Sequence, residues 1–277
     1  RSSDLFVPRE WLASRLGAAG RANLLVAAAG DGHTLDPAQA DAAVRDAWQL
    51  GDVGVTLAVA SNANCIELRS ARIFIDDALA DAALAAGAGA KGVLTYFVNE
   101  CRAGTNATPY SFVAAPGAPL VPASMPDDAI VVNEWLARDL QAATGTTVVL
   151  SYYVLGPLRT LVETSATFRV ASIVPLNGAA RDSDLMPPFP GLAGAKNCRD
   201  WRPGIPVNLP AIRDVDEAYW RAYGGTPKAF VTLAAAQRLW RNPYGVLTAV
   251  RYPAGENTAG AVAHAVRARL SPGQFGL

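Results

Sequence analysis

The sequence predicts an α+β fold, in which strands and helices alternate along most of the chain. Short apolar runs typical of buried strands are followed by stretches whose apolar residues recur at helical spacing. Most junctions between these segments carry glycine or proline, of which the chain has 24 and 19. Hydrophobic residues make up 51% of the 277 residues and charged residues only 17%, so the chain can form a sizeable core and is not intrinsically disordered.

The first 115 residues contain the clearest alternation. Asp36 followed by Pro37 is typical of a helix start, and Gly51 marks the end of that helix. Glu67 and Arg69 alternate with apolar residues, which predicts a strand with one buried and one exposed face. The elements predicted in this part are helices over residues 10–17, 37–50 and 78–86, and strands over residues 22–29, 53–60, 65–75, 92–98 and 110–114.

A composition break over residues 115–128 predicts a boundary, because four prolines in this span disfavour both helix and strand. Beyond it, Asn133 is a predicted helix cap. Gly156 and Pro157 separate two long strand-like segments, as in a hairpin. The elements predicted here are strands over residues 129–132, 146–155, 161–174, 228–231 and 246–252, and helices over residues 134–141, 212–223, 234–240 and 258–270.

Residues 181–210, called here the proline-rich segment, contain six prolines with Phe189 and Trp201 among them. A connection of this length without regular structure is typical of a functional loop or of a cover over a core. Two interpretations follow. The segment is either a partner surface, with Phe189, Trp201 and Asp184 as candidate contact residues, or a cover in which Phe189 and Trp201 seal the β-rich core.

Net charge and hydropathy restrict the classes of partner. Lys plus Arg and Asp plus Glu both number 24, so the formal net charge is +0 and nucleic acid is not an expected partner. The most apolar stretch, residues 22–29, is far shorter than the roughly 20 residues that cross a bilayer. Because the chain begins at Arg1 without a signal peptide, we expect a processed product or an excised fragment whose flanks would hold any membrane anchors.

The sequence lacks the common motifs of catalysis and cofactor binding. His33 and His264, the two histidines, are outside the HExxH pattern of zinc hydrolases. There is no GxSxG nucleophile turn and no GxxxxGK[ST] phosphate loop. Gly87, Gly89 and Gly92 match GxGxxG by letter, but they follow a helix and precede a strand, the reverse of the dinucleotide-binding order. We therefore predict no catalytic residue and no cofactor.

Two groups of carboxylates have the residue types of a hard-cation site: Asp182 with Asp184, and Asp214 with Asp216 and Glu217. Neither group reproduces the EF-hand loop. The second lies where a helix N-terminus favours acidic residues in any case. We therefore predict no metal site.

The three cysteines, Cys65, Cys101 and Cys198, lie far apart and form no metal-binding pattern. Two interpretations remain open: three buried thiols, or one disulfide with one thiol left over. In an exported chain, Cys65 and Cys101 are the candidate disulfide pair, because one begins a predicted strand and the other closes a later one.

Several motifs occur in a fixed order between Glu67 and Arg251. Residues 130–175 contain a strand ending in a small polar residue, a helix, a glycine turn, a hairpin and a strand reading FRVASIVP. LTYFVN and PYS precede them, and TPKAFVTL, AQRLW and LTAVR follow. In this order the chain resembles the MacB-like periplasmic core domain, the extracytoplasmic part of FtsX-like permeases of ABC transporters. Ser172 stands where that family commonly has glycine.

The resemblance implies a non-enzymatic domain. In these transporters a separate cytoplasmic subunit hydrolyses ATP, membrane helices relay the motion, and the outer domain is a moving lever or docking surface. The expected location is the periplasmic face of the bacterial cytoplasmic membrane, with the membrane helices outside this chain. An envelope protein or lipoprotein is the expected extracytoplasmic partner.

The resemblance also implies a division of the fold. Residues 1–115 plus 244–277 are expected to form a porter-like α/β subdomain, and residues 116–243 an inserted, β-rich, Sabre-like subdomain that carries the proline-rich segment. The chain ends, Arg1 and Leu277, are then expected to lie close together.

Two other classes of function remain open. One is an exported hydrolase with an atypical active site, which a pocket gathering His33 or His264 with Asp and Ser would favour. The other is a stand-alone extracytoplasmic binding module.

Overall fold

The computed structural model describes residues 6–20, 26, 28–30, 33–60 and 64–276. Contacts divide the chain into two compact units, Arg1–Ala47 and Trp48–Leu277. The first contains helices α1 (Arg9–Arg15) and α2 (Pro37–Ala47), close to their predicted positions, and neither helix has a buried side chain.

The strand predicted over residues 22–29 is not confirmed. Residues 22–25 and 27 lie outside the described part of the chain. Val26, Ala28 and Ala29 are described and belong to no strand, so the prediction is wrong for these three residues. Val26 is 80% exposed, whereas the prediction required a buried run.

The second unit contains a mixed set of strands and helices. Its strands are β1 (Val55–Ala60), β2 (Cys65–Ser70), β3 (Lys91–Ala103), β4 (Asn106–Ala115), β5 (Ala129–Asn133), β6 (Thr147–Leu155), β7 (Leu161–Val174), β8 (Ala229–Phe230) and β9 (Ala249–Pro253). Its α-helices are α3 (Asp77–Leu84), α4 (Glu134–Leu140), α5 (Asp214–Tyr223), α6 (Leu233–Trp240) and α7 (Ala259–Arg267). The predicted α+β class is therefore confirmed at the level of a mixed α/β fold.

Helix starts follow local sequence. The Asp76 and Asn133 carboxyl and amide oxygens accept hydrogen bonds from the first turns of α3 and α4, which satisfies backbone N–H groups that a helix start leaves unpaired. The hydroxyls of Thr232 and Thr258 do the same at α6 and α7. The cap predicted at Asn133 is confirmed.

One sheet has the antiparallel order β1-β2-β9-β3. The C-terminal strand β9 therefore lies between two strands that precede it by most of the chain. Helices α3 and α7 cover this sheet, and their Leu79, Val262 and Val266 are buried in one cluster with Leu68 and Tyr252. The C-terminal segment thus completes the core that the first strands of the unit begin.

Strands β4 to β8, together with most of β3, form a closed six-stranded barrel in the order β3-β4-β8-β5-β7-β6, with β6 pairing back to β3. The β4–β8 and β5–β7 pairs are parallel, and the others are antiparallel. Alternate residues from all six strands fill one cluster, to which α4 and α6 add Leu136, Leu140 and Trp240. A closed barrel has no free edge along these strands.

Strand β3 belongs to both sheets. Its first residues, Lys91 to Val93, pair with β9, and the part from Leu94 pairs with β4 in the barrel. It is longer than the predicted strand over 92–98, because it continues to a tight turn at Gly104, whose φ of 57° suits glycine.

The predicted hairpin at Gly156 is confirmed. Strands β6 and β7 are antiparallel, and Leu155 pairs with Leu161 next to the turn.

Strand β2 differs from its prediction in two respects. It ends at Ser70 instead of residue 75, and both of its faces are covered. Glu67 is only 3% exposed, so the expected solvent face of this strand does not exist. The reason is that charged partners from distant segments cover that face, as described below.

The contacts also bear on domain organisation. They divide the chain after Ala47, where the sequence predicts no boundary. Strands β3 and β4 lie within residues 1–115, yet β3 pairs with β6 and β4 with β8 in the barrel. The division into residues 1–115 plus 244–277 and residues 116–243 stays a prediction.

Candidate functional site

The proline-rich segment lacks long regular elements, as predicted, and contains only short 3₁₀ turns such as Ser183–Leu185 and Cys198–Asp200. It covers the outer face of the barrel. Leu192, Cys198 and Trp201 are buried against Phe97 of β3 and Phe112 of β4.

Trp201 is therefore a core residue. It is 4% exposed, and its ring meets Phe97 edge to face at 5.9 Å and Trp220 at 4.9 Å. The prediction that Trp201 belongs to an exposed partner surface is wrong, because these aromatic contacts remove it from solvent. Phe189 is half-buried, 6.2 Å from Phe97. Asp184 is also half-buried, and its backbone carbonyl accepts a hydrogen bond from Arg69.

The three cysteines are free thiols, so the candidate disulfide between Cys65 and Cys101 is not formed. Cys101 points into the barrel core, whereas Cys65 begins β2 in the other sheet. Burial raises the pKa of the Cys101 thiol to about 12. Burial, together with the Glu217 carboxylate, raises the pKa of Cys198 to about 12. These thiols are protonated at neutral pH and have low nucleophilicity.

The two histidines are both exposed, His33 in the first unit and His264 on α7 of the second. In the described residues, no group of three or more His, Cys, Asp or Glu side chains is placed to hold a metal ion. Glu217 accepts hydrogen bonds at 3.0 Å from the backbone N–H groups of Cys198 and Arg199.

The glycine run has a packing role. A Cβ at Gly87 would lie 2.8 Å from the Tyr252 ring, and one at Gly92 would lie 2.8 Å from Leu247 Cδ2. Gly89 has a φ of +64°. These glycines permit close approach of α3, β3 and β9.

Two charged clusters connect the proline-rich segment and α5 to the sheets. The first, the sheet cluster, consists of Glu67, Arg69, Asp182 and Arg251. Arg251 donates through Nε to Glu67 Oε2 at 2.5 Å and through Nη1 to Asp182 Oδ2 at 2.6 Å, while Arg69 pairs with the other Glu67 oxygen. The two positive charges of the arginines equal the two negative charges of the carboxylates.

Burial is the largest influence on Arg251 and would lower its pKa, but the carboxylates of Glu67 and Asp182 outweigh it and raise that pKa. The guanidinium is therefore charged at every physiological pH. It forms part of the wall of a cavity of about 420 Å³ that Lys91 also lines. Asp182 is the second residue of the proline-rich segment, so the sheet cluster fixes the start of that segment to β2 and β9.

The second cluster, the Lys228 cluster, lies beside α5. It consists of Lys228 and the polar side chains connected around it: Asn133, Asp139, Arg213, Asp216 and Tyr219. Lys228 is 4% exposed, and its Nζ lies 3.9 Å from Asp216 Oδ1 and 4.2 Å and 4.8 Å from the ring centroids of Trp135 and Tyr219. Burial lowers the pKa of Lys228. Asp216 makes its shorter contacts with Arg213, whose Nε lies 2.8 Å from Oδ2.

The rest of the Lys228 cluster holds α5 to the barrel. Arg213 Nη2 donates to Asp139 Oδ2 on α4 at 2.6 Å. The Asn133 amide donates to the Tyr219 hydroxyl at 3.1 Å, and that hydroxyl donates to the Thr226 carbonyl at 3.0 Å. The cluster therefore joins α4, α5 and the segment that precedes β8 through buried and partly buried polar contacts.

The sequence identifies Asp182 and Asp216 only as residue types of a cation site, not as partners of buried cations. It predicts a solvent-exposed Glu67, and its motifs do not point to Lys228 or Arg251. The available signal was a charged residue within an otherwise apolar strand, as in CIELRS and PKAFV. Such a residue requires a buried partner.

No family model matches the chain, and a search of curated proteins finds no match. The resemblance to FtsX-like permeases therefore rests on the order of motifs in the sequence. In the described residues, no helix is both long and apolar enough to cross a bilayer.

Proposed function

We propose that this chain is a non-catalytic extracytoplasmic domain of an ABC transporter permease, which transmits ATP-driven motion to export, lipoprotein release or a cell-envelope partner. In this proposal the domain lies on the periplasmic face of the cytoplasmic membrane. Residues 1–115 plus 244–277 form its porter-like part and residues 116–243 its Sabre-like part. Transmembrane helices outside this chain connect it to a separate cytoplasmic ATP-binding subunit.

The contact between the two ends of the second unit carries the proposal. The rings of Trp48 and Phe275 lie 6.1 Å apart, centroid to centroid, with an angle of 28° between them. A domain inserted between two membrane helices has to return the chain to the side where it enters. Neighbouring ends are common in domains of any kind, so the order of the sequence motifs supplies the specificity.

The strand order supports the same proposal. Because β9 lies between β2 and β3, the segments before and after the barrel share one sheet. Helix α7 packs on the core that α3 also covers. A displacement applied to both ends of the unit would therefore act on a single packed layer with the barrel attached to it.

The connection between that layer and the barrel is suited to transmit motion. Strand β3 is continuous through both sheets, and the sheet cluster adds a second link through Asp182 and Arg251. Close-packed interiors are poorly compressible and transmit strain. The layer and the barrel would move as one lever.

The test uses the complete permease, co-expressed with its ATP-binding subunit and reconstituted in lipid vesicles. Trp48→Ala and Phe275→Ala remove the contact at the ends of the unit. The expected result is ATP hydrolysis that continues while ATP-dependent export or release falls several-fold. Val215→Ala, a truncation of a side chain that is 50% exposed, is the matched control and should retain coupling.

Three outcomes would contradict the proposal: a reading frame without apolar spans on either side of this chain, no ATP-binding subunit co-purifying with the complete protein, or substrate turnover by the purified chain.

A stand-alone binding module is the second candidate function, and a small cavity lined by Phe189 favours it.

A further inference from the structure

Strand β1 (Val55–Ala60) forms an edge of the first sheet. It is the first strand in the order β1-β2-β9-β3, and among the described strands only β2 pairs with it. Proteins usually protect an edge from pairing with a further strand by a charged residue, a proline or a bulge. The chain from Val53 to Ile66 has no charged residue and no proline, and the register of β1 with β2 is continuous. This edge is therefore open to strand addition.

The ladder between β1 and β2 shows which backbone groups face outwards. The Ala71 N–H donates to the Gly54 carbonyl at 2.8 Å, so these two residues form a hydrogen-bonded pair at the start of the ladder. Hydrogen-bonded pairs alternate with non-bonded ones along antiparallel strands, so the even-numbered residues of β1 bond to β2. The odd-numbered residues direct their N–H and C=O groups to the outer side.

Leu57 and Val59 are the odd-numbered residues that a further strand can reach. Val59 is 68% exposed and Leu57 is half-buried, whereas Val55 is only 3% exposed. In the described residues, no hydrogen bond joins the outward backbone groups of Leu57 or Val59 to another segment. Two donors and two acceptors are thus available on an uncharged edge.

We propose that two copies of this chain pair antiparallel through β1, about a twofold axis at Ala58. In this register, Leu57 of each copy is opposite Val59 of the other, and the two residues exchange both of their backbone hydrogen bonds. Alternate side chains share a face, and Leu57 packs on the core that α7 covers, so each exposed Val59 would be covered by Leu57 of the second copy. Ala58 of one copy then meets Ala58 of the other, where the small side chain permits close approach.

A second copy satisfies this edge without any further group. The same two residues supply donors and acceptors in both directions, which is the self-complementarity that a twofold interface requires. An edge without charge offers nothing to select a charged strand and has no like charges to repel its own copy. A single strand pair is a small interface of the weak class. This inference holds whether or not the chain belongs to a transporter.

The first test measures the association of the purified chain. Sedimentation velocity between about 10 µM and 1 mM should show a reversible equilibrium of monomer and dimer. Amide hydrogen exchange at the two ends of this range locates the interface. The N–H groups of Leu57 and Val59 should become several-fold more protected as the concentration rises. Those of Thr56 and Ala58, which bond to β2, should be protected throughout.

Cysteine substitutions test the register. Ala58→Cys places two thiols across the axis, where the Cα separation of about 4.5 Å suits a disulfide, and mild oxidation should give a cross-linked dimer. Thr56→Cys is the matched control, because residue 56 is exposed on the same face of β1 but its two copies would lie roughly 14 Å apart along the strand. It should not cross-link. The native cysteines are buried and should not contribute.

Proline and threonine at residue 59 separate pairing from folding. Val59→Pro removes an outward N–H group without removing a bond to β2, so the thermal unfolding of the monomer should change little. The dimer loses a hydrogen bond on each side of the axis and should weaken at least about tenfold. Val59→Thr keeps the N–H group and the branched side chain and should retain the dimer.

Three results would each overturn the proposal. The first is a chain that stays monomeric at about 1 mM, which would leave the edge to a strand of another protein. The second is cross-linking of both cysteine variants or of neither. The third is equal dimer affinity in Val59→Pro and Val59→Thr.

Discussion

Arg251 and Asp182, 69 residues apart in the sequence, form a buried ion pair with 2.6 Å between Nη1 and Oδ2. Their side chains are 13% and 4% exposed. The pair fixes the start of the proline-rich segment to the central strand of the first sheet. It also explains why β2 has no solvent face, since the same guanidinium binds Glu67.

Removing one member of this pair should strongly destabilise the second unit. Asp182→Ala leaves the Arg251 charge buried with one carboxylate fewer, and breaking buried pairs costs about 3–5 kcal/mol. Urea unfolding should show that loss in the free energy of unfolding. Arg241→Ala breaks the exposed pair with Asp77, whose side chains are 65% and 57% exposed, and should cost less than about 1 kcal/mol. Similar losses in the two variants would contradict the structural role of the sheet cluster.

Lys228 should reduce stability near neutral pH and reduce it less at high pH. Burial lowers its pKa in the folded protein, so the unfolded chain binds more protons between that value and about 10.4. Stability from this group therefore rises as the pH increases through that window. Lys228→Met keeps the side-chain volume and removes the charge, while Asp216 keeps its ion pair with Arg213.

The measurement for Lys228 is the free energy of unfolding of wild type and Lys228→Met from pH 7 to pH 10. The variant should equal or exceed wild type at pH 7, and its advantage should shrink towards pH 10. A constant difference across this range would show that the pKa of Lys228 is not lowered by folding. Comparing the two proteins cancels much of the contribution of the buried thiols and tyrosines, which titrate in the same alkaline range.

The buried thiols should be unreactive in the folded protein. Cys101 and Cys198 have pKa values raised to about 12, and Cys65 is 7% exposed with its pKa raised by burial. Ellman's reagent should label none of the three faster than the protein unfolds, and all three once it is denatured by guanidinium. Labelling of only one thiol after denaturation would show that a disulfide exists.

Local elements were predictable because short-range chemistry decides them. Asp76, Asn133 and the turn at Gly156 carry their own signals, and the structure has a cap or turn at each. Closure of the barrel was not predictable, because it depends on β3 pairing with β6, about 50 residues later, and on the two-residue strand β8. Neither pairing leaves a periodicity in the sequence.

The candidate site shows the same limit. The sequence does not show whether a tryptophan is buried or exposed. Only the fold of the proline-rich segment shows that Trp201 is buried. Glu67 lies in a pattern typical of a half-exposed strand, yet its partners Arg251 and Asp182 come from segments far along the chain. Such ion pairs depend on the tertiary structure, and the spacing of residues in the sequence does not predict them.

The glycine run offers a last test, since its packing role and a ligand-binding role predict different results. Gly92→Ala places a Cβ 2.8 Å from Leu247 Cδ2 and should destabilise the protein by about 1–3 kcal/mol through overpacking. Leu247→Val in the same chain should recover part of that loss by shortening the opposing side chain. Gly260→Ala, in α7 with no atom within 4 Å of the new Cβ, should instead stabilise by about 0.4–1 kcal/mol. Thermal unfolding measures all three. A Gly92→Ala variant as stable as wild type would show that β3 and Leu247 are not in close contact.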